Sequence, residues 1–265
     1  MHPMLNIAVR AARAAGNVIT RGYENRDDLD IQKKGSQDYV TKIDKEAELT
    51  IINKIQQSYP DHAFVGEEGG RVEGNSDFTW VIDPLDGTSN FIAGIPHFAV
   101  SIALLYKGKV DQAVVFDPIR GELFACSKGS GAQLNGYRLR CTKAKDLNNT
   151  IIATALPFRN KANFDEELTR FTRVVKDAGD FRRSGSAALD LAYVAAGRYD
   201  GYFEKGLKAW DMAAGELLVK ESGGLVTDYA GNNDPLYDEL KSPGSANGLV
   251  AGNPRVVQNI VKRLK

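Results

Sequence analysis

The segment from Trp80 to Asn90 constrains the fold most, because an apolar run ends there in two acids, a proline, a glycine and small polar residues. We interpret the apolar run as the end of a buried strand, which Pro84 stops. Asp83 and Asp86 lie three residues apart, so a tight turn would bring both carboxylates onto one cation. From Gly87 onward a helix start would offer free N–H groups to an anion. The segment therefore predicts a metal and phosphate loop or, equally well on its own, an Asx turn with a capping aspartate.

The composition excludes several functional classes. The chain has 265 residues, and its 34 basic and 34 acidic side chains cancel, so strong direct binding to nucleic acid or an anionic membrane is not expected. A small-molecule partner is the better expectation. The two cysteines have neither zinc-site spacing nor a disulfide pattern, which is typical of a reducing compartment. Since the sequence has neither a signal-peptide core nor an apolar run of membrane-spanning length, we expect a cytoplasmic protein.

The hydrophobic periodicity predicts a mixture of helices and strands. Residues 4–23 and a segment from Thr41 to Pro60 have helical spacing, with a polar loop between them. Residues 99–141 are typical of an antiparallel meander. Residues 151–264 alternate between strands and helices, with an irregular loop before the last strand, Leu249 to Ala251. A soft boundary divides the chain into an N-terminal half, 1–145, and a C-terminal half, 146–265, which we expect to form one structural unit.

Four further acids lie where an element begins or ends, and each has a plain structural interpretation. Glu67 follows a short predicted strand inside a glycine-rich turn, where acids are usually solvated. Asp44 lies in the first turn of a helix, where it would complement the helix dipole, and Asp211 would be a helix N-cap. Glu204 ends a predicted strand. Neighbouring strand ends lie side by side in a sheet, which favours a shared site for Glu67 and Asp83.

Three motifs together resemble the inositol monophosphatase family of magnesium-dependent, lithium-sensitive phosphatases. They are Gly-Glu-Glu at 66–68, Trp-Val-Ile-Asp-Pro-Leu-Asp-Gly-Thr-Ser-Asn-Phe at 80–91 and Trp-Asp-Met-Ala-Ala-Gly at 210–215. Their order and spacing are similar to those of the family over nearly the whole chain. The resemblance implies an α+β fold with αβαβα layers, shared with fructose bisphosphatases, and it favours the metal-loop interpretation. Gly69 departs from the pattern, because many family members carry a serine there.

The resemblance also implies a set of metal ligands. It assigns Glu67, Asp83 and the Leu85 carbonyl to a first Mg²⁺ ion. It assigns Asp83, Asp86 and Asp211 to a second, and a third, weaker ion uses Glu67. Oxygen donors without cysteine or histidine suit Mg²⁺ or Mn²⁺ better than Zn²⁺. The family pattern further implies inhibition by Li⁺.

The catalytic roles are likewise implied by the resemblance. Thr88, hydrogen-bonded to Asp44, is expected to orient a metal-activated water beside Glu67 for in-line attack on phosphorus, without a covalent intermediate. The backbone N–H groups of Gly87 and Thr88 are expected to bind the phosphate.

Family analogy also assigns contacts to the inositol and a mobile residue. Asp86, the Ala187 backbone N–H and Glu204 would contact the inositol hydroxyls. Lys33 matches a mobile-loop lysine of the family, although Lys34 is adjacent and a solvated loop charge explains Lys33 as well.

These residues predict Mg²⁺-dependent hydrolysis of myo-inositol monophosphate or a related polyol phosphate by a homodimer, the usual assembly of the family. Related enzymes with the same metal pattern act on other phosphomonoesters, which is the first alternative. The second is a non-catalytic role, because the bacterial branch is associated with ribosomal RNA transcription antitermination through RNA polymerase and Nus factors. Arg182 and Arg183 are the candidate partner surface for that role.

Overall fold

The computed structural model of the chain describes residues 2–25, 31–35, 38–156 and 163–265, with the backbone alone for 31–35 and 38–40. Its helices are α1 (Pro3–Glu24), α2 (Lys42–Gln56), α3 (Thr88–Ala93), α4 (Phe164–Val175), α5 (Ala187–Ala195), α6 (Ala209–Glu221), α7 (Pro235–Lys241) and α8 (Pro254–Leu264). Its strands are β1 (Ile31–Gly35), β2 (Asp38–Thr41), β3 (Ala63–Gly66), β4 (Gly70–Val72), β5 (Phe78–Asp86), β6 (Ala99–Tyr106), β7 (Lys109–Asp117), β8 (Glu122–Ser127), β9 (Gln133–Leu134), β10 (Tyr137–Arg138), β11 (Ile151–Thr154), β12 (Asp180–Arg182), β13 (Gly201–Glu204), β14 (Leu225–Thr227) and β15 (Leu249–Gly252).

The elements stack in five layers of alternating helices and sheets. Helices α1 and α2 cover one face of a sheet with the strand order β10-β9-β8-β7-β6-β5-β3-β4. Helices α5 and α6 fill the space between this sheet and a second one, of order β12-β11-β13-β15-β14. Helices α4 and α8 cover the outer face of the second sheet. The predicted α+β fold with αβαβα layers is therefore confirmed.

The first sheet is an antiparallel meander that is extended by strand β3, which pairs in parallel with β5. Strands β6 to β8 pair antiparallel in chain order, as predicted, β5 joins them antiparallel to β6, and Asn135 and Gly136 turn the β9–β10 hairpin with φ of 50° and 87°. Strand β6 is buried along its length up to Tyr106, because helices cover both faces of the sheet. Strand β3 pairs parallel to β5, which brings the carboxyl ends of these two strands to the same edge.

Helices α5 and α6 cross closely inside the central layer. A Cβ atom on Gly215 would lie 2.5 Å from the Leu191 side chain, so only glycine lets the two helix backbones approach this far. This packing brings the N-termini of both helices towards the edge where β3 and β5 end.

Two predictions of irregular structure were wrong. The polar region between the first two helices contains strands β1 and β2, which pair antiparallel but have no clear apolar alternation in sequence. The loop before the last strand contains α7, which begins at Pro235. No helix in the described ranges is long and apolar enough to cross a membrane.

Candidate metal and phosphate site

The parallel pairing of β3 and β5 places two acids next to each other. Gly66 is in register with Ile82, so the following residues, Glu67 and Asp83, are neighbours at the strand ends. The Glu67 N–H donates a hydrogen bond of 3.2 Å to the Ile82 carbonyl, which continues the pairing of the two strands one residue beyond the end of β3. The predicted proximity of the two acidic motifs is present in the structure.

Pro84 does not stop strand β5, contrary to the prediction. The strand continues to Asp86, and its pairing with β6 shifts register between Asp83 and Asp86, where Pro84 has no N–H to donate. The Leu85 N–H instead donates to Asp83 Oδ1 at 3.0 Å. The resulting bulge presents two carboxylates and the Leu85 carbonyl within four residues.

Helix α6 supplies the third carboxylate. Asp211 is the third residue of α6 rather than its N-cap, and its Oδ2 accepts the Lys208 N–H at 2.6 Å. Ser101, which pairs with Asp83 across the sheet, donates its hydroxyl to the Trp210 carbonyl at 3.2 Å. This hydrogen bond docks the start of α6 directly beside β5.

Three carboxylates consequently meet in one cluster. Single oxygens of Asp83, Asp86 and Asp211 all lie within 4.8 Å of one another. Burial raises the pKa of Asp83 well above its usual value, and the nearby charges of Glu67, Asp86 and Asp211 raise it further. Burial and the charge of Asp86 likewise raise the pKa of Asp211. Hard oxygen donors that repel one another at this distance fit a divalent cation such as Mg²⁺.

Thr88 and Asp44 form the predicted hydrogen bond beside this cluster. Thr88 Oγ1 lies 3.0 Å from Asp44 Oδ1 and 3.1 Å from the Leu85 carbonyl, so its one proton has two acceptors. Asp44 is the third residue of α2, and its Oδ2 accepts the Thr41 N–H at 2.8 Å. Burial raises the pKa of Asp44, against the effect of the hydrogen bonds from Thr41 and Thr88. Asp44 therefore serves both as a cap for its helix and as the acceptor for Thr88.

Gly87 joins the acidic strand end to α3. Its φ of 102° lies in the left-handed region, and a Cβ atom there would lie 3.1 Å from the His97 carbonyl oxygen. Thr88 is the first residue of α3, so its hydroxyl and the first amides of the helix lie next to Asp86. The backbone carbonyl of His97 lies at this turn and accepts a hydrogen bond of 2.7 Å from the Asn90 side chain.

The start of α5 holds Asp86 from the opposite side. Asp86 Oδ2 accepts the Ser186 hydroxyl at 2.6 Å and the Ala188 N–H at 2.7 Å. Ala187, the residue predicted to contact substrate, is the first residue of the helix and lies between these two donors. One carboxylate oxygen of Asp86 is thus saturated by α5.

Glu204 lies at the end of β13 and adds another acid to the surroundings of Asp211. Its Oε2 accepts the hydroxyl of Tyr202 at 2.5 Å, and its charge helps to raise the pKa of Asp211. Asp190 on α5 is a further buried carboxyl nearby, whose pKa is raised well above its usual value by burial. Ser184 donates a hydrogen bond of 2.5 Å to Asp190.

Several supporting residues were missed by the sequence analysis. They are Glu48, Ser101, Ser186, Ala188 and Asp190. Only Ser186 had a usable signal, since a serine before an Ala-Ala-Leu run is a typical N-cap and its hydroxyl does accept the Leu189 N–H.

The remaining predicted residues lie outside this cluster. Lys33 belongs to β1, and its side chain lies outside the described part of the chain. Arg182 ends the edge strand β12 and pairs with Asp180 at 2.6 Å, while Arg183 follows on the same exposed segment. The predicted exposure of both arginines is present in the structure.

Known proteins resemble this chain over its full length. A sequence model described as the inositol monophosphatase family matches residues 1–264. The Nus factor SuhB of Escherichia coli K12 is 53% identical over 266 residues, which cover 100% of this chain and 97% of the relative. The crystal structure of the extragenic suppressor protein suhB from Bartonella henselae has a TM-score of 0.94 and 40% identity, covering 100% and 99% of the two chains. The IMPase of Thermotoga maritima has a TM-score of 0.84 and 32% identity, with coverage of 98% and 96%.

Proposed function

Because the chain belongs to the inositol monophosphatase family, we propose that it hydrolyses myo-inositol monophosphate and related polyol phosphates with Mg²⁺ as cofactor. The observation that carries this proposal is the cluster of Asp83, Asp86 and Asp211 beside the hydrogen bond between Thr88 and Asp44. The enzyme is proposed to act in the cytoplasm, as a homodimer.

The donor set supports two or three Mg²⁺ ions. Glu67, Asp83 and the Leu85 carbonyl would hold one ion, and a third, weaker ion would also use Glu67. Asp83, Asp86 and Asp211 would hold the other ion. Bound Mg²⁺ would lower the pKa of a water molecule and neutralise charge on the phosphate and the leaving alcohol. Mn²⁺ has the same ligand preference and would be an alternative cofactor.

The protein groups would orient the reactants and move one proton. Thr88 donates to Asp44, and its oxygen lone pairs are then free to accept a hydrogen bond from the attacking water. That bond would align the water with phosphorus. As the water attacks, its proton would pass to the Thr88 oxygen while the Thr88 hydroxyl proton passes to Asp44, which ends the step as a neutral carboxyl group. The Gly87 and Thr88 N–H groups, at the start of α3, would bind phosphate oxygens.

The substrate alcohol is proposed to lie between α5 and β13. Asp86, the Ala187 N–H and Glu204 would contact its hydroxyl groups. Ser186 and Ala188 hold one oxygen of Asp86, which fixes the orientation of this carboxylate towards the proposed substrate. Glu204 would repel a second phosphate on the substrate, which supports a monophosphate over a bisphosphate.

A phosphate-release assay tests this proposal. Myo-inositol 1-phosphate is incubated with wild type and Asp83→Asn in Mg²⁺, in EDTA, and in Mg²⁺ with added Li⁺. We expect release only by wild type with Mg²⁺, and its reduction by Li⁺. If wild type releases no more phosphate than Asp83→Asn, the proposed activity is wrong. Fructose 1,6-bisphosphate, a 3′-phosphonucleotide and histidinol phosphate in parallel reactions test the alternative substrates.

A second function is supported by the name of the Escherichia coli relative, Nus factor SuhB. We propose that this chain also binds RNA polymerase or Nus proteins in ribosomal RNA transcription antitermination. The exposed end of β12, with Arg182 and Arg183, is the proposed contact surface. The neutral net charge favours a protein partner over direct binding to RNA.

Binding assays with purified RNA polymerase and Nus proteins test this second function. Asp83→Asn is expected to bind as wild type does, and Arg183→Ala is expected to bind more weakly while it keeps phosphatase activity. Equal binding by wild type and Arg183→Ala would contradict the proposed surface.

A further inference from the structure

Glu48 is a buried carboxylate that the proposed reaction does not use. It lies on α2 and is 3% exposed. Its Oε2 accepts the Glu68 N–H at 3.0 Å, and its Oε1 accepts the Gly69 N–H at 2.5 Å. Two backbone donors on one carboxylate form strong, charge-assisted hydrogen bonds. Glu48 thereby ties α2 to the turn between β3 and β4.

The turn fits around this carboxylate only because two of its residues are glycine. A Cβ atom on Gly66 would overlap Glu48 Oε2, and a Cβ atom on Gly69 would lie 2.7 Å from Oε1. The space that a serine at position 69 would use is therefore filled by Glu48 in this chain. A side chain at position 69 would therefore require the Glu48 carboxylate to shift.

The same turn carries Glu67. Its own N–H donates to the Ile82 carbonyl, one residue before Asp83, and the next two N–H groups donate to Glu48. Three successive amides are therefore anchored, one to β5 and two to α2. Anchoring on both sides of its Cα fixes the direction in which the Glu67 side chain leaves the backbone.

We propose that Glu48 is a positioning residue, which holds Glu67 in its metal-binding orientation before any metal binds. The inference rests on the proposed Mg²⁺-dependent function. Asp44 lies four residues before Glu48 on the same face of α2, where it holds Thr88. One helix face therefore orients both the hydroxyl that faces the water and the turn that supplies a metal ligand.

The test compares three variants of α2 in metal-binding calorimetry. Glu48→Gln keeps the size of the side chain but turns an NH₂ group towards one of the two amides. Glu48→Asp keeps the charge but is too short to reach both amides. Glu46→Gln, on the exposed face of the same helix, is the matched control for charge. Mg²⁺ is titrated into each metal-free protein, and thermal unfolding is measured in EDTA and in Mg²⁺.

Both Glu48 variants are expected to raise the Mg²⁺ dissociation constant about 10- to 100-fold, the effect typical of residues that orient metal ligands. Glu46→Gln should bind as wild type does. The concentration of Mg²⁺ that gives half-maximal phosphate release should rise in parallel, while KM for the substrate at saturating Mg²⁺ changes little. Wild-type Mg²⁺ affinity in both Glu48 variants would overturn the inference and leave the proposed function intact. Failure of wild type to bind Mg²⁺ would instead contradict the proposed function.

Hydrogen exchange on metal-free wild type provides a test that requires no variant. The Glu68 and Gly69 amides are expected to be protected before Mg²⁺ is added, because Glu48 already holds them. Exchange at the rate of free amides, with protection only after Mg²⁺ addition, would show that the turn is not preorganised and would overturn the inference.

Discussion

Helix α6 contains one acid in its first turn, Asp211, and another in its second half, Glu216, and the two regions balance negative charge differently. Near the start, Asp211 lies with Asp83 and Asp86. Among the residues that the structure describes, no lysine or arginine is within ion-pair distance of Asp83 or Asp211. In the second half, Glu216 is buried and accepts a hydrogen bond of 2.6 Å from Lys220.

The signs of the neighbouring charges distinguish the two regions. Burial raises the pKa of both Asp211 and Glu216. The nearest charged groups raise the pKa of Asp211 further, because they are acids, whereas Lys220 opposes the shift at Glu216. Lys220 therefore compensates the charge of Glu216 within the protein itself. The acidic neighbours of Asp83 and Asp211 disfavour their charged forms, and a divalent cation would relieve this repulsion, so the comparison marks the first region as the candidate functional site.

Removal of Asp83 should give the largest effect on activity. Asp83→Asn is expected to lower phosphate release about a thousandfold or more, because several kcal/mol of charge stabilisation are lost. In EDTA its melting temperature should equal or exceed that of wild type, since one repelling carboxylate is gone. The stabilisation by Mg²⁺, about 2.7 kcal/mol at 100 times the dissociation constant, should disappear.

Thermal unfolding with and without Mg²⁺ checks this prediction. Asp77→Asn is a suitable control, because Asp77 is exposed and makes only a long ion pair of 3.6 Å to Lys107. A lower melting temperature of Asp83→Asn in EDTA would mean that Asp83 is a structural acid like Glu216, and the comparison would fail.

Substitution of Thr88 should lower activity without a comparable loss of stability. Thr88→Ala removes the hydroxyl that bonds to Asp44 and should lower kcat about 100-fold or more, whereas Thr88→Ser keeps the hydroxyl and most of the activity. Steady-state kinetics at saturating Mg²⁺ measures both variants. If Thr88→Ala and Thr88→Ser lose activity equally, the methyl group matters rather than the hydroxyl, and the proposed role is wrong.

Removal of Lys220 should lower stability without lowering activity, the opposite of the effect expected for Thr88. Lys220→Met leaves Glu216 buried without its partner, so the free energy of unfolding should fall by about 1–3 kcal/mol while kcat stays unchanged. Glu216→Gln in the same background should restore part of the loss. Urea unfolding measures the stability, with Lys128→Met as the control for an exposed lysine. Loss of activity at unchanged stability would contradict the structural role of this pair.

Much of the fold and of the candidate site could be predicted from the sequence, because the signals were local. The apolar spacing of α1 and the meander of β6 to β8 follow directly from helix and strand periodicity. Two strands that both end in acid and glycine predicted that Glu67 and Asp83 would be neighbours, and the parallel pair brings them together. The hydrogen bond between Thr88 and Asp44 required the family resemblance, since 44 residues separate the two.

The contacts that could not be predicted join distant parts of the chain. Ser101 bonds to the Trp210 carbonyl across 109 residues, and Ala188 bonds to Asp86 across 102. Neither a serine in an apolar strand nor an alanine in a helix has a distinctive pattern. Glu48 has no distinctive sequence pattern either, because its partners are backbone amides that only the folded turn provides.

A third buried group, His62, extends the comparison to a residue that stays neutral. Its Nδ1 accepts a hydrogen bond of 3.0 Å from Trp80 Nε1, so the ring is uncharged with its proton on Nε2. The rings of Tyr59 and Phe78 stack on it with centroids 4.8 and 4.7 Å away. Protonation of Nδ1 would break the hydrogen bond to Trp80 inside the aromatic cluster.

Stability should therefore decrease slightly in acid because of His62, which is the smallest effect predicted here. Burial lowers the pKa of His62 below its usual 6.5, and the charge of Asp61 opposes this only in part. Above pH about 6.5, the pKa of His62 in the unfolded chain, the ring is neutral in both the folded and the unfolded protein, and His62 makes its full contribution to the free energy of unfolding. As the pH falls below this value, the unfolded chain binds the proton first, so the free energy of unfolding decreases. The decrease stops once the ring is also protonated in the folded protein. Urea unfolding at about pH 7.5 and about pH 5.5 measures this loss. His62→Gln keeps an acceptor for Trp80 but cannot titrate, so the pH-dependent loss should be smaller in this variant; an equal loss in both proteins would assign the acid sensitivity to other groups.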